Sequence, residues 1–325
     1  MDPMHSHDPA HCFSTFAPGL HVIDTGFERG RFDAAYLLVS PEGRAAFIDT
    51  GHNAAVPRLL GTLQSLGLGV EAVDWVIPTH VHLDHAGGAG LLMQALPNAQ
   101  ALIHPRGARH LINPQALQDG ARAVYGAEVV AATYGEVQPI PAERVVESQD
   151  GMTVDLGSRR LELIDSPGHA RHHHCIWDEA SRGWFTGDTF GIAYPEFESA
   201  DGPWLFPTTT PVQFEPQAMR ASVRRMLARR PEVIFPTHFG PITALERVTQ
   251  QFHDLLDRME AGALALRAAG SADLEAALLA LVQSELLASA LASGAPLSPE
   301  RAQRLLALDT TLNAQGLAVW LSKSS

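Results

Sequence analysis

Thr79-His80-Val81-His82-Leu83-Asp84-His85 sets three imidazoles and a carboxylate within the six positions from His80 to His85, directly after the apolar run at residues 73–78. A strand that gives way to a loop crowded with metal-binding side chains is a chemical signature rather than a packing one. In an extended segment, residues two apart point the same way, so His80 and His82 are placed to grip one ion. A turn after Leu83 then swings Asp84 and His85 toward a second ion. Gly87 and Gly88 follow, and they let the backbone turn tightly ahead of the next helix.

Working outward, short apolar runs at 21–24, 35–40 and 45–49 are punctuated by Gly30 and by Pro41-Glu42-Gly43, which predicts a meander of antiparallel strands. Helical spacing of Leu59, Leu60, Leu63 and Leu66 predicts a helix over 54–66, and strand 73–78 runs into His80. A helix over 88–95, a strand at 101–103 and helical pieces between 105 and 125 come next. A second strand-rich half is expected from residue 144 to 186, at 152–155, 161–165, 173–177 and 183–185, with a further strand at 233–235. Beyond residue 242 the pattern turns helical, over 244–268, 272–292 and 299–307. The expected layout is α+β: a four-layer αββα sandwich with a C-terminal helical extension. Residues 1–18 read as a tail, 19–242 as the catalytic domain and 243–325 as the helical region.

Three more strand ends carry metal-capable residues: His169 in Ser166-Pro167-Gly168-His169, Asp188 in Gly187-Asp188-Thr189, and His238 in Pro236-Thr237-His238-Phe239-Gly240. The ordered set HxHxDH, SPGH, GDT and THFG resembles the metallo-β-lactamase superfamily, and Asp49-Thr50-Gly51 resembles that family's early strand-to-loop element. The resemblance covers residues 20–240. It implies one metal on His80, His82 and His169 and a second on Asp84, His85 and His238, with Asp188 bridging them and Asp49 orienting a ligand from behind. Nitrogen and oxygen ligands suit Zn²⁺ while accommodating Fe or Mn. Two such divalent ions can share a water, lower its pKa to about 7 and present a metal-bridging hydroxide to a carbonyl. Asp84 is the candidate proton acceptor. Tyr194, six residues past Asp188, is the candidate oxyanion donor.

The expected activity is hydrolysis of a small carbonyl substrate: a thioester, ester or lactone. Helices after Gly240 are similar in layout to the glyoxalase II-like branch. The competing reading is a mononuclear-iron persulfide dioxygenase, whose histidine motif is similar. Phe190, Trp204 and Phe206 either line an apolar pocket or pack beneath a loop. Cys175 reads as a buried strand residue, and His172, His173 and His174 read as packing or supporting groups. His5, His7, His11 and Cys12 read as a mobile terminus able to bind adventitious metal.

Composition limits the alternatives. Subtracting 36 acids from 23 bases gives a net charge of −13, which repels phosphate backbones and argues against nucleic acid as partner. The one dense basic run, Arg220 to Arg230, shares its segment with Met219, Val223, Met226 and Leu227, as a solvated helix face does. Two cysteines form no disulfide framework, and residues 1–12 lack the basic and apolar segments of an export signal, so the expected location is cytoplasmic. No membrane partner is expected, because no run approaches about 18 uninterrupted apolar residues. The helical tail suits a homodimer contact or a cap over a substrate pocket equally well.

Overall fold

Residues 12–323 are described by the structure, a computed structural model; His5, His7 and His11 lie outside the described residues. Contacts divide the chain into two units. The first comprises the chain up to Asp165 with His172–Gly187 and Thr237–Pro241; the second comprises Ser166–Arg171, Asp188–Pro236 and the chain from Ile242 on. This division cuts across the expected 242/243 boundary, since Asp188–Pro236 goes with the C-terminal helices.

In the first unit, one sheet runs in chain order through β1 (Phe13–Ala17), β2 (Leu20–Asp24), β3 (Ala34–Val39), β4 (Ala45–Ile48), β5 (Val73–Ile77), β6 (Gln100–Ile103) and β7 (Val145–Glu147). Strand β1 takes up the last part of the stretch read as a tail, because Pro18-Gly19 turns it back onto β2, pairing Phe13 with Ile23. From β1 to β4 the pairing is antiparallel, and from β4 to β7 it is parallel. Parallel pairing needs crossovers. These are α1 (Val56–Ser65) between β4 and β5, α2 (Leu83–Ala86) and α3 (Ala89–Ala95) between β5 and β6, and α4 (Pro105–Ile112), α5 (Gln115–Tyr125) and α6 (Ala127–Thr133) between β6 and β7. Strand β7 thus closes the first sheet instead of opening the second half.

Leu59 and Leu63 of α1 and Leu92 and Met93 of α3 are buried in one cluster with Phe47, Val73 and Val76 of the sheet. Each fully buried side chain of this kind contributes about 1.5–3 kcal/mol of transfer free energy. The second sheet of this unit is the antiparallel run β8 (Thr153–Leu156), β9 (Arg159–Asp165), β10 (His174–Asp178) and β11 (Gly183–Gly187). Tyr36 of β3 meets Phe185 of β11 edge to face, with ring centroids 5.0 Å apart. At the other end of the sheets, the buried Arg159 donates to both oxygens of Asp178, at 2.9 and 2.6 Å, and to the Gly19 carbonyl at 2.6 Å.

The second unit holds α7 (Pro216–Ala228), β12 (Val233–Pro236), α8 (Leu245–Ala268), α9 (Leu274–Ala292), α10 (Pro299–Leu305) and α11 (Ala307–Lys323). Helix α7 carries the basic run with the expected division of faces: Met219, Val223 and Met226 are buried. Arg220 is paired with Asp257 and Glu260 of α8, so its charge is already matched. The loop 190–210 is knitted to the C-terminal helices. Trp204 donates to Ser289 Oγ at 3.0 Å, the Thr209 amide to Asn313 Oδ1 at 2.7 Å, and the Tyr194 hydroxyl to Asp309 Oδ1 at 2.9 Å. Phe190, Trp204 and Phe206 are fully buried, and Trp204 stacks on Phe206; they pack as core beneath the loop. Among the described residues, α9 is the one helix long and apolar enough to cross a membrane by length and composition, although it carries acidic residues; Leu278, Val282, Leu286 and Ala290 are buried.

Candidate metal centre

Parallel pairing of β4 with β5 aligns Ile48 with Ile77, so the residues that follow, Asp49 and Thr79-His80, emerge side by side. Asp49 is the organising group. Its Oδ1 accepts from the Thr79 amide at 2.6 Å, both oxygens accept from the Thr79 hydroxyl at 3.0 Å, and Oδ2 accepts from Thr237 Oγ1 at 2.6 Å and lies 3.0 Å from His85 Nδ1. The residue has φ +56°, a left-handed conformation uncommon for a side-chain-bearing residue and worth noting at a site.

That contact fixes which nitrogen His85 presents. With Nδ1 held by Asp49, Nε2 faces Asp84 Oδ2 at 3.7 Å. His238 follows the same scheme: its Nδ1 donates to the Phe32 carbonyl at 3.0 Å and its Nε2 stands 3.3 Å from the same Asp84 oxygen. Ligand atoms of Asp84, His85 and His238 all lie within 4.8 Å of one another. Around a tetrahedral ion with bonds of about 2.0–2.1 Å, neighbouring donors stand about 3.3 Å apart, so this set of one carboxylate oxygen and two imidazole nitrogens fits a divalent cation. A carbonyl or carboxylate behind each ring is also the usual support for a ligating histidine.

Helix α2 begins at Leu83 with His82 as its preceding residue, which is the turn expected there. Ahead of it, His80 Nε2 and His82 Nδ1 converge to 2.8 Å, and the His80 and His85 rings are 3.9 Å apart. Five of the seven expected ligands are thus gathered in the first unit. The other two, His169 and Asp188, are brought together in the second: His169 Nε2 lies 3.6 Å from Asp188 Oδ2, while its Nδ1 lies 3.4 Å from the hydroxyls of Thr208 and Thr210.

The histidine run divides its labour. His174 lies 2.8 Å from Ser148 Oγ and 2.8 Å from the Pro78 carbonyl, which anchors β10 beneath the Thr79 turn. Burial pushes its pKa down to about 3. His173 stacks on His80 at 4.9 Å, and His172 stands edge-on to His82 at 5.4 Å. Burial, helped by neighbouring His82, lowers His172 to about 3 as well. Cys175 is fully buried, with its Sγ 3.5 Å from the Thr186 carbonyl. Tyr194, the candidate oxyanion donor, is buried and its hydroxyl donates to Asp309 Oδ1 at 2.9 Å.

Sequence reasoning assigned no role to Thr79, Thr237 or the Phe32 carbonyl. The first two had a signal, because a Thr-His pair recurs at Thr79-His80 and Thr237-His238 and both threonines meet on Asp49. The carbonyl had none, since any residue carries one. Asp33 was also missed: it is fully buried, accepts from Thr25 Oγ1 at 2.9 Å, and burial raises its pKa well above the usual carboxylate range.

The signature of the metallo-beta-lactamase superfamily matches residues 29–238. The chain belongs to that superfamily. A metallo-beta-lactamase fold-containing protein, ST1585, of Sulfurisphaera tokodaii is 29% identical over 228 residues, covering 69% of this chain and 80% of its own. Its crystal structure superposes with a TM-score of 0.60 at 26% identity over 74% of this chain and 86% of that one. A metallo-beta-lactamase family protein of Thermus thermophilus, TTHA1429, is similar over 95% of both chains, with a TM-score of 0.63 at 21% identity. That similarity extends the shared fold to the C-terminal helices: two sheets flanked by helices, then α8–α11. Human acyl-coenzyme A thioesterase MBLAC2 is 30% identical over 178 residues, 52% of this chain and 63% of its own.

Proposed function

We propose that this member of the metallo-β-lactamase superfamily is a metal-dependent hydrolase of small carbonyl substrates, with thioesters foremost. The observation that carries the reading is the convergence of Asp84, His85 and His238 on one point, each imidazole held from behind by the protein. The superfamily's ligand pattern, carried onto this chain, assigns His80, His82 and His169 to one ion and Asp84, His85 and His238 to another, with Asp188 between them. Zinc is the favoured metal and two the favoured number. Similarity to a human acyl-coenzyme A thioesterase supports the thioester preference.

Divalent cations held by these donors supply Lewis acidity and a water of lowered pKa. The chain's own groups do the rest. His85 and His238 are almost fully buried, whereas the Asp84 side chain is 24% exposed, so substrate and water reach the centre on the Asp84 side. Asp84 takes the proton given up by the attacking water and returns it to the departing sulfur, so that the C–S bond breaks with a neutral thiol as product. Asp49 keeps the Nε2 edge of His85 turned toward the centre throughout. We place the enzyme in the cytoplasm, acting on a small molecule.

Elemental analysis of protein purified without added metal, followed by assays on a neutral thioester, a lactone and a phosphodiester, tests the reading. About two zinc or manganese ions per chain with thioester or lactone turnover is the expected result. One iron per chain, with oxygen uptake on a persulfide and no hydrolysis, would overturn it in favour of a dioxygenase.

A further inference from the structure

Within the histidine motif, His82 and Asp84 are half-buried while His80 and His85 are buried, so the first two mark the opening to the centre. Helix α4 stands on the His82 side of it. Strand β6 runs parallel to β5, with Val76 opposite Ala101. The chain leaving β6 at His104 therefore emerges on the same edge of the sheet as Thr79-His80. The carboxyl ends of parallel strands are where such sheets meet their ligands. Gly107 lets α4 close on the motif: a Cβ there would lie 2.7 Å from Val81 Cγ1 and 3.6 Å from His172 Cβ. His172 in turn stands edge-on to His82, with ring centroids 5.4 Å apart.

The start of the helix is fixed by His104, whose Nδ1 accepts from the Arg106 amide at 3.1 Å and whose Nε2 lies 3.0 Å from Asp165 Oδ1. Gly107, Ala108 and Leu111 are buried. Arg106, Arg109 and His110 fall on the opposite, outer face, where residues three and four apart are neighbours. Both arginines are exposed and His110 is half-buried. Among the described residues no side chain pairs with the Arg106 guanidinium, and Arg109 engages through its Nε alone, which donates to His110 Nε2 at 3.3 Å. Acids are scarce here as well. None occurs between Asp84 and Asp119, in a chain with 36 acids among 325 residues. Asp119 itself is held by Gln115 and Arg122. In a molecule of net charge −13, the outer face of α4 is thus a local reversal of sign at the catalytic edge of the sheet.

We propose that Arg106 and Arg109, with His110 beside them, form an anion subsite on the His82 side of the opening, which receives a carboxylate or phosphate carried by the substrate. Guanidinium groups suit this task because they bind such anions through paired N–H donors. The inference rests on the hydrolase reading for its substrate and narrows it to thioesters or esters with an anionic arm. Because α4 meets His82 through His172, the anion is held away from the reacting carbonyl, on a long arm and not next to the acyl carbon. Contacts so placed are made equally in ground and transition states, so their loss acts mainly through KM.

Two measurements on metal-loaded protein test it. Glutamine forms helix about as well as arginine, so Arg106→Gln/Arg109→Gln removes charge from an exposed face without breaking α4. In the first measurement this variant is compared with the parent on acetyl-coenzyme A and on S-phenyl thioacetate. The expected result is a rise in KM for the anionic thioester at least tenfold larger than for the neutral one, with partial recovery in Arg106→Lys/Arg109→Lys. In the second, calorimetry follows binding of S-methylglutathione, a carboxylate source, and of adenosine 3′,5′-bisphosphate, a phosphate source. At least one should bind the parent in a salt-sensitive way and bind the double glutamine variant at least tenfold more weakly; which one does so identifies the anion. Unchanged discrimination between the two thioesters in the variant, or no binding of either probe to the parent, overturns the subsite, and persisting turnover would then leave the hydrolase in place. Arginine-dependent binding without hydrolysis of any substrate would instead retain the subsite and remove the hydrolase.

Discussion

Two side chains carry consequences that can be measured singly. Asp49 accepts from four donors in three segments of chain. Asp49→Asn replaces one acceptor oxygen with a donor that faces other donors, and releases His85 Nδ1. Metal affinity should fall about 10–100-fold, the usual cost of losing the support behind a ligand; competition with a chromophoric chelator measures it, and a change below twofold would show that His85 needs no such support. His174 acts through pH. Its pKa falls from 6.5 to about 3 in the folded chain, so below 6.5 the unfolded chain takes up a proton that the folded chain refuses. The stability it contributes is complete above pH 6.5 and is lost on acidification toward 3, by about 1.4 kcal/mol per pH unit. His174→Gln should therefore flatten the dependence of the urea midpoint between pH 7 and 5, and an unchanged slope would assign the acid sensitivity to other groups.

At the level of elements, strands and loops around the metal-binding motif were legible because each had a local cause: apolar runs of strand length ending in histidine or aspartate. What was missed lacked one. Helix α6 is short and mostly exposed, so it shows no apolar stripe. Helix α11 carries Gly316 in its middle, which argues against a helix on propensity alone. Its reason is tertiary: a Cβ there would come within 1.5 Å of the Thr209 carbonyl, so only glycine lets α11 lie against that loop. Parallel pairing of β7 with β6 was also invisible, since sheet membership is not encoded in a three-residue strand. The bond from Tyr194 to Asp309 was invisible too, because the two residues lie 115 positions apart. A glycine that was legible offers the element-scale test. Gly168 has φ +143°, and a Cβ on it would sit 2.3 Å from Met219 Cα in α7. Gly168→Ala should destabilise the fold by at least ~2 kcal/mol and displace His169, seen as a lower Tm together with loss of bound metal; normal metal content at a lowered Tm would separate packing from ligand placement.

For the molecule as a whole, the first unit joins its sheets with one buried cation. Arg159 lies on β9, is satisfied by Asp178 on β10, and reaches the Gly19 carbonyl ahead of β2. Removing one partner of a buried pair strands the other, at a cost of about 3–5 kcal/mol. Arg159→Met should lower the urea midpoint accordingly, whereas Arg159→Met combined with Asp178→Leu should regain much of that loss; equal damage in both would mean that shape rather than charge is what the position demands.

Asp49 has one more implication, for the order of events during synthesis. The same carboxylate oxygen serves His85 and Thr237, and Thr237 lies 188 residues downstream of it. While a nascent chain has emerged only through its first sheet, Asp49 and His85 are already outside the ribosome, yet Thr237 and His238 are still untranslated. Ion capture at full affinity is thereby postponed until most of the polypeptide exists, and abortive fragments that end early carry the histidine motif without its grip.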